Sequence, residues 1–256
     1  MSKKLIGVLI GVVTLVIVII VLGVTFTIRN VTIDTTSTLS LDDATVQALV
    51  SDSGIKMKSS ILSVDESIVV RNIETKYPAL KVISVERKFP NTVCVNITNR
   101  VPVFAIGVKD GTIALIDREQ KIVDIVENID DINYITVVTG QLLDGVQKGG
   151  FSTTTSYLRE ITAEAENLSF VNQRLSSFIP SIEYSKVDNG VDNILLKTNT
   201  GVTFVLKNVT NSVGTFFNYA YTKYYNELTV NQKASGYVYL TDEDVWTWSD
   251  TYSENI

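Results

Sequence analysis

The chain contains no histidine. That absence removes the Ser-His-Asp triad, the Cys-His nucleophile pair and the commonest zinc sites. There is a single cysteine, Cys94, so no internal disulfide can form and the fold has to rest on its core. Basic residues are outnumbered, 22 against 28 acidic ones, for a net charge of −6 at pH 7. With that sign, nucleic acid and anionic-lipid surfaces are poor partners for the chain as a whole. The remaining chemistry is that of carboxylates. Asp130-Asp131, Glu160 with Glu164, and Asp242-Glu243-Asp244 are the candidates for paired acids, but general acid and base work needs two carboxyls at a set separation in a cleft. These runs read as solvated acidic faces. Gly149-Gly150 lacks the Lys-Ser/Thr of a phosphate loop and reads as a turn. No motif argues for an enzyme, a cofactor or a metal.

What is present begins with Leu5 to Val24, twenty residues without a charge. At about 1.5 Å per residue this stretch covers roughly the 30 Å hydrocarbon core of a bilayer. No small-residue cleavage site follows it, so it reads as an uncleaved anchor over residues 5–26 rather than a secretory signal. It carries no charged face of the kind an in-plane amphipathic helix needs. Lys3 and Lys4 precede the span, which places a four-residue tail (1–4) inside and the bulk of the chain outside, as a type II protein. Gly7 and Gly11 form a GxxxG pair that permits close approach of a second membrane helix, or are ordinary lipid-facing glycines. Four N-x-S/T sequons, at Asn30, Asn96, Asn167 and Asn208, read as chance in a chain rich in Thr, Ser and Asn.

Lys81 to Val103 alternates apolar and polar residues on both sides of Phe89-Pro90-Asn91, the pattern of a β-hairpin. A two-residue turn at Pro90-Asn91 opposes Val85 to Asn96, whereas a three-residue loop opposes Val85 to Val95 and Ile83 to Ile97. The second register is expected because the first buries Asn96 and Thr98. Cys94 then shares a face with Thr92, Asn96 and Thr98 and is expected to be half-buried. Upstream, Val31 and Ile33 begin a strand. Ser40-Leu41-Asp42-Asp43 starts a helix with Val46, Leu49 and Val50 at helical spacing and a stop at Gly54. Ser63-Val64-Asp65-Glu66 is a capping box for a second helix carrying Val69, Ile73 and Tyr77, ended by Pro78. Two one-sided helices and three one-sided strands bury one another as a two-layer α+β unit, βααββ, over 29–102.

Residues 103–248 read as a mixed, β-rich second domain with two helices, followed by a short tail, 249–256. Asp110-Gly111 and Asn199-Thr200-Gly201 mark hairpins. One helix carries Tyr157, Leu158, Ile161, Ala165 and Leu168, and the other Phe216, Phe217, Ala220, Tyr221, Tyr224 and Leu228. Gly140 to Thr155 reads as a loop. The aromatic strands Gly236-Tyr237-Val238-Tyr239-Leu240 and Val245-Trp246-Thr247-Trp248 are candidates for an open sheet edge, with Tyr237, Tyr239, Val245, Trp246 and Trp248 at a partner surface. The competing reading is that both tryptophans are core or membrane-proximal packing.

The run Gly54-Ile55-Lys56-Met57-Lys58-Ser59-Ser60-Ile61-Leu62-Ser63-Val64, the following helix, Val85-Glu86-Arg87-Lys88-Phe89-Pro90-Asn91-Thr92 and Asn99-Arg100-Val101-Pro102-Val103 resemble the POTRA domain of the bacterial division proteins FtsQ/DivIB. Downstream, Phe104-Ala105-Ile106, Asp110-Gly111, Leu115-Ile116-Asp117 and Asn199-Thr200-Gly201 are similar to that family's β domain. The resemblance implies a non-catalytic bitopic scaffold at the division septum. Its POTRA unit helps place it there, and its last β strands dock FtsB/DivIC-like and FtsL-like bitopic partners that control septal peptidoglycan synthesis. The alternatives are a POTRA-bearing transport or secretion component, a membrane-anchored extracellular hydrolase and a eukaryotic type II glycoprotein.

Overall fold

The computed structural model describes all residues except 1–10, 18–20, 22, 131, 133, 154, 169–173, 187–191, 208–212, 243–244 and 254–256. The chain divides into two compact units, Met1–Arg100 and Val101–Ile256. Much of the apolar N-terminal stretch, Gly7 included, lies outside the described residues; within it, 11–17 and 23–25 are helical. Among the described residues no helix is long and apolar enough to cross a membrane.

The first unit runs β1 (Asn30–Thr35), α1 (Asp43–Asp52), a 3₁₀ turn (Ile61–Ser63), α2 (Glu66–Lys76), β2 (Leu80–Lys88) and β3 (Thr92–Asn99). This is the expected βααββ order. Both helices start on a carboxylate two residues later than the serines suggested. Asp42 Oδ1 accepts the Thr45 N–H at 2.9 Å, and Asp65 Oδ1 accepts those of Ser67 at 2.9 Å and Ile68 at 3.4 Å. An aspartate satisfies the free amides of a first turn as serine does and adds a negative charge at the positive end of the helix dipole. The residues around Ser63 are taken instead by the 3₁₀ turn, capped by Ser60.

The sheet order is β1-β3-β2, with β1 parallel and β2 antiparallel to β3. The hairpin has the three-residue loop and pairs Val85 with Val95. Beyond that point the expected register fails. A bulge between Val82 and Ser84 sets Val82, not Ile83, opposite Ile97, so Val82 and Val85 both face the helices and Ile83 is 56% exposed. One extra residue reverses the alternation on one side only, which period-2 reasoning does not foresee. The core between sheet and helices gathers Ile28, Leu49, Ile61, Val69, Ile73, Val82, Val85, Val93, Val95 and Ile97. Glu74 closes its lower end. One carboxylate oxygen accepts the Val82 N–H at 3.0 Å and the other meets Arg100 Nη2 at 2.6 Å.

The other sheet face is polar. Asp34, Lys88 and Asn96 approach Cys94, which is fully buried rather than half-buried, with its thiol 3.0 Å from Asp34 Oδ2. Asn96 donates to Ser84 Oγ and Glu86 Oε1, both at 2.8 Å, so this sequon amide is already engaged.

In the second unit, the described residues form one sheet of nine strands in the order β12-β11-β10-β9-β8-β7-β4-β5-β6. The strands are β4 (Phe104–Val108), β5 (Ile113–Ile116), β6 (Ile122–Val126), β7 (Thr136–Leu143), β8 (Ser181–Lys186), β9 (Asp192–Lys197), β10 (Thr203–Leu206), β11 (Tyr237–Asp242) and β12 (Val245–Ser249). The β4-β5 and β9-β10 hairpins fall at the expected Asp110-Gly111 and Asn199-Thr200-Gly201 turns. The pairs β4/β7, β7/β8 and β10/β11 are parallel.

Two long helices, α3 (Ser156–Asn167) and α4 (Val213–Asn226), pack on one face, and a short α5 (Val230–Ala234) precedes β11. Tyr157, Leu158, Ile161, Phe217, Ala220 and Tyr224 supply the helix side of the main core. The expected Gly140–Thr155 loop begins only after Leu143, because Gly140 lies inside β7. With φ +77° and the Tyr184 carbonyl oxygen 1.9 Å from where a Cβ would sit, that position admits only glycine.

Candidate partner-binding edge

β11 and β12 are joined antiparallel with Val238 opposite Trp248, Tyr239 opposite Thr247 and Leu240 opposite Trp246. This register sorts the predicted surface residues onto two faces. Trp246 and Trp248 lie on the helix side, half-buried against the main core with Val238 and Leu240. Lys223 of α4 reaches over the Trp246 ring, 5.8 Å from its centre. The Trp248 indole N–H points at the Ser235 carbonyl at 3.3 Å. It sits against Gly236, where a Cβ would be 2.9 Å from Trp248 Nε1 and 2.6 Å from the Ser249 carbonyl oxygen.

Tyr237 and Tyr239 lie on the opposite face. Tyr239 is 1% exposed, in a small cluster with Leu195 and Val205 that Tyr237 borders. Residues 251–253 fold back over it. Its hydroxyl accepts the Ser253 N–H at 2.6 Å and reaches the Thr251 carbonyl at 3.3 Å, and Tyr252 packs on both tyrosine rings. Burial pushes the Tyr239 phenol above its ordinary range. Tyr239 is therefore a foundation of this edge, and its side chain offers no surface to a partner while the tail is seated.

Two kinds of group remain outward. Thr247 is exposed in the middle of β12. The outer side of β12 ends the sheet, and among the described residues no strand or loop pairs with it. Val245 opens β12 opposite Asp242; its side chain lies outside what is described. Sequence reasoning found these strands from their aromatic content. It could not show which of several short strands ends the sheet, because that depends on the parallel β10-β11 pairing across the two intervening helices, α4 and α5.

Two of the candidate acids play structural parts. Glu160 accepts the Gly214 N–H at 3.3 Å at the start of α4, and Glu164 holds Asn218, so both tie α3 to α4. Asp130 is exposed; Asp131, Glu243 and Asp244 lie outside the described residues.

Residues 26–100 match the family model described as POTRA domain, FtsQ-type. The chain carries an FtsQ-type POTRA domain. The match spans 75 of the 256 residues. It covers the first unit alone. No curated protein sequence matches the chain.

Proposed function

We propose that this protein is a non-catalytic, single-pass membrane scaffold of the bacterial divisome. Its outward-facing part binds FtsB/DivIC-like and FtsL-like bitopic proteins at the septum and so helps control septal peptidoglycan synthesis. The observation that carries the reading is the FtsQ-type POTRA match over residues 26–100. Two further features support it. The helical residues ahead of the POTRA domain leave Val12, Val13, Leu15, Val16, Ile17, Val21 and Val24 each about half exposed or more, an apolar display that water disfavours and a bilayer accepts. The Gly7-x-x-x-Gly11 spacing in the sequence also offers lateral pairing with a partner's span.

In the second unit, the outer side of β12 carries a row of main-chain groups that nothing pairs among the described residues. A partner segment adding there gains affinity from backbone hydrogen bonds and specificity from alternate side chains. Tyr237 at the margin of the Tyr239 cluster, and Trp246 and Trp248 through their partly exposed edges, would flank such a segment. Placing a charge or a proline at Thr247 should lower capture of the two bitopic partners by about tenfold, with little change in the thermal unfolding of the chain. A pull-down with unchanged capture removes β12 from the reading. A fluorescent fusion spread evenly around the membrane of dividing cells removes the divisome assignment itself.

A further inference from the structure

Where the N-terminal helix joins the first unit, three separate segments meet. Thr27 Oγ1 donates to the Gly23 carbonyl at 2.7 Å, so the helix leads into the domain without a linker. Thr27 bridges to Ser60, the Ile61 N–H donates to the Phe26 carbonyl, and the Lys58 N–H donates to that of Ile28. The tip of the β2-β3 hairpin closes the other side. The Arg29 and Asn30 amides both donate to the Asn91 carbonyl, and Phe26 packs edge-on against Phe89 with ring centres 5.6 Å apart. Met57 and Lys58 line a groove with Gly23, Val24 and Arg29.

Around this junction the domain leaves large apolar side chains uncovered: Phe89 is 57% exposed, Met57 49% and Leu62 67%. Interleaved with them are exposed Arg29, Lys56 and Lys58, none of which makes an ion pair among the described residues. Lys58 holds φ +66°, a conformation that glycine or asparagine adopts at lower cost. The chain's net charge of −6 argues against anionic surfaces in general. Charge acts locally, however, over roughly 8 Å at physiological salt, and Arg29, Lys56 and Lys58 lie together beside Met57 and the start of the domain.

We propose that this end of the POTRA domain is a seat on the bilayer surface: Phe89, Met57 and Leu62 enter the boundary between headgroups and acyl chains, and Arg29, Lys56 and Lys58 hold anionic phospholipid headgroups. The inference rests on the reading of the N-terminal helix as a membrane anchor, which brings the bilayer to this face. Aromatic and long aliphatic side chains with basic neighbours suit that depth, because the apolar part sinks while the charge stays at the headgroups. The seat would fix the domain's tilt on the membrane.

The test uses the full chain in nanodiscs carrying dibrominated acyl chains, made of phosphatidylcholine with or without phosphatidylglycerol. The emission that F89W adds to that of Trp246 and Trp248 should fall about twofold in the anionic discs, with a smaller fall in the neutral ones. R29E/K56E/K58E should restore it without changing thermal unfolding. A chain that fails to enter the discs overturns the anchor and this seat together. A chain that enters them with no quenching at F89W leaves the anchor standing and overturns the seat. Quenching that is equal in both lipids and unaffected by the charge reversals overturns the headgroup recognition.

Discussion

At the β6 edge of the nine-stranded sheet, the Ile122 N–H donates to the Gly150 carbonyl and its own carbonyl accepts the Gly149 N–H, while Lys121 bridges to Phe151. Lys148 adds an ion pair to Asp124 at 2.8 Å. At the β12 edge, nothing described pairs with the outer strand. The same sheet therefore ends once in a strapped edge and once in an open one. An unprotected edge is an aggregation risk that folded proteins ordinarily block with loops and charges. The Gly149-Gly150 turn, which resembles a phosphate loop only superficially, is part of that blocking strap. An open edge on a sheet whose other edge is blocked supports the docking proposed there.

The contrast can be broken from either side. The largest effect is expected from Tyr239→Ala, which empties the cluster beneath β11 and the 251–253 tail. It should destabilise the second unit by about 3–5 kcal/mol in urea unfolding and abolish partner capture. Gly236→Ala should cost about 1–3 kcal/mol, through its positive φ and the approach to Trp248 and Ser249. Reduced capture with unaltered stability would show that only the strand position had moved.

On the strapped side, Lys148→Glu sets a second carboxylate against Asp124. Its cost in stability should stay under about 1 kcal/mol, yet self-association should appear at high concentration in analytical ultracentrifugation as β6 is uncovered. The smallest effect is the acid response. The Asp124 carboxyl is held below its ordinary 3.8 chiefly by the hydrogen bond from Lys148. Because the folded value lies below the unfolded one, this contribution is fully present above 3.8 and fades as the pH falls through the lower, folded value. Weak self-association should therefore grow only below about pH 4, and D124N should make it independent of pH in that range. β12 carries no ionisable side chain between Val245 and Ser249, so this acid response belongs to the β6 edge.

Much of the first unit was legible in the residues. Val85 opposite Val95 followed from the cost of burying Asn96, and Leu49, Val69 and Ile73 were placed on the buried faces of their helices. The bulge at Ile83 was not legible, because an extra residue leaves the apolar pattern nearly intact while changing which members of it point inward. The alternation puts Cys94 on the correct face, and the folded protein buries it more deeply than that alternation implies. Its cover comes partly from Asp34, 60 positions away, and no local pattern shows that. In the second unit, the hairpins at Gly111 and Gly201 announced themselves through turn chemistry. The parallel contacts of β7 with β4 and β8 carry no such local mark, and Gly140 looked like a loop residue because its reason for being glycine is a neighbouring strand. The aromatic strands at the end stand out by composition. Their division into buried Tyr239 and half-buried Trp246 and Trp248 required the register.

The tail folded over Tyr239 and the indole of Trp248 seated on Gly236 grip opposite faces of the same short ribbon. A slide of β12 along β11 would have to release both at once, so the offset between the two strands is set internally, like a vernier locked at both ends. Any peptide adding to β12 inherits that offset. In the proposed docking, a one-residue error in alignment would turn every side chain of the added segment to the wrong face, so the locked offset would discriminate correct from shifted partners before one arrives.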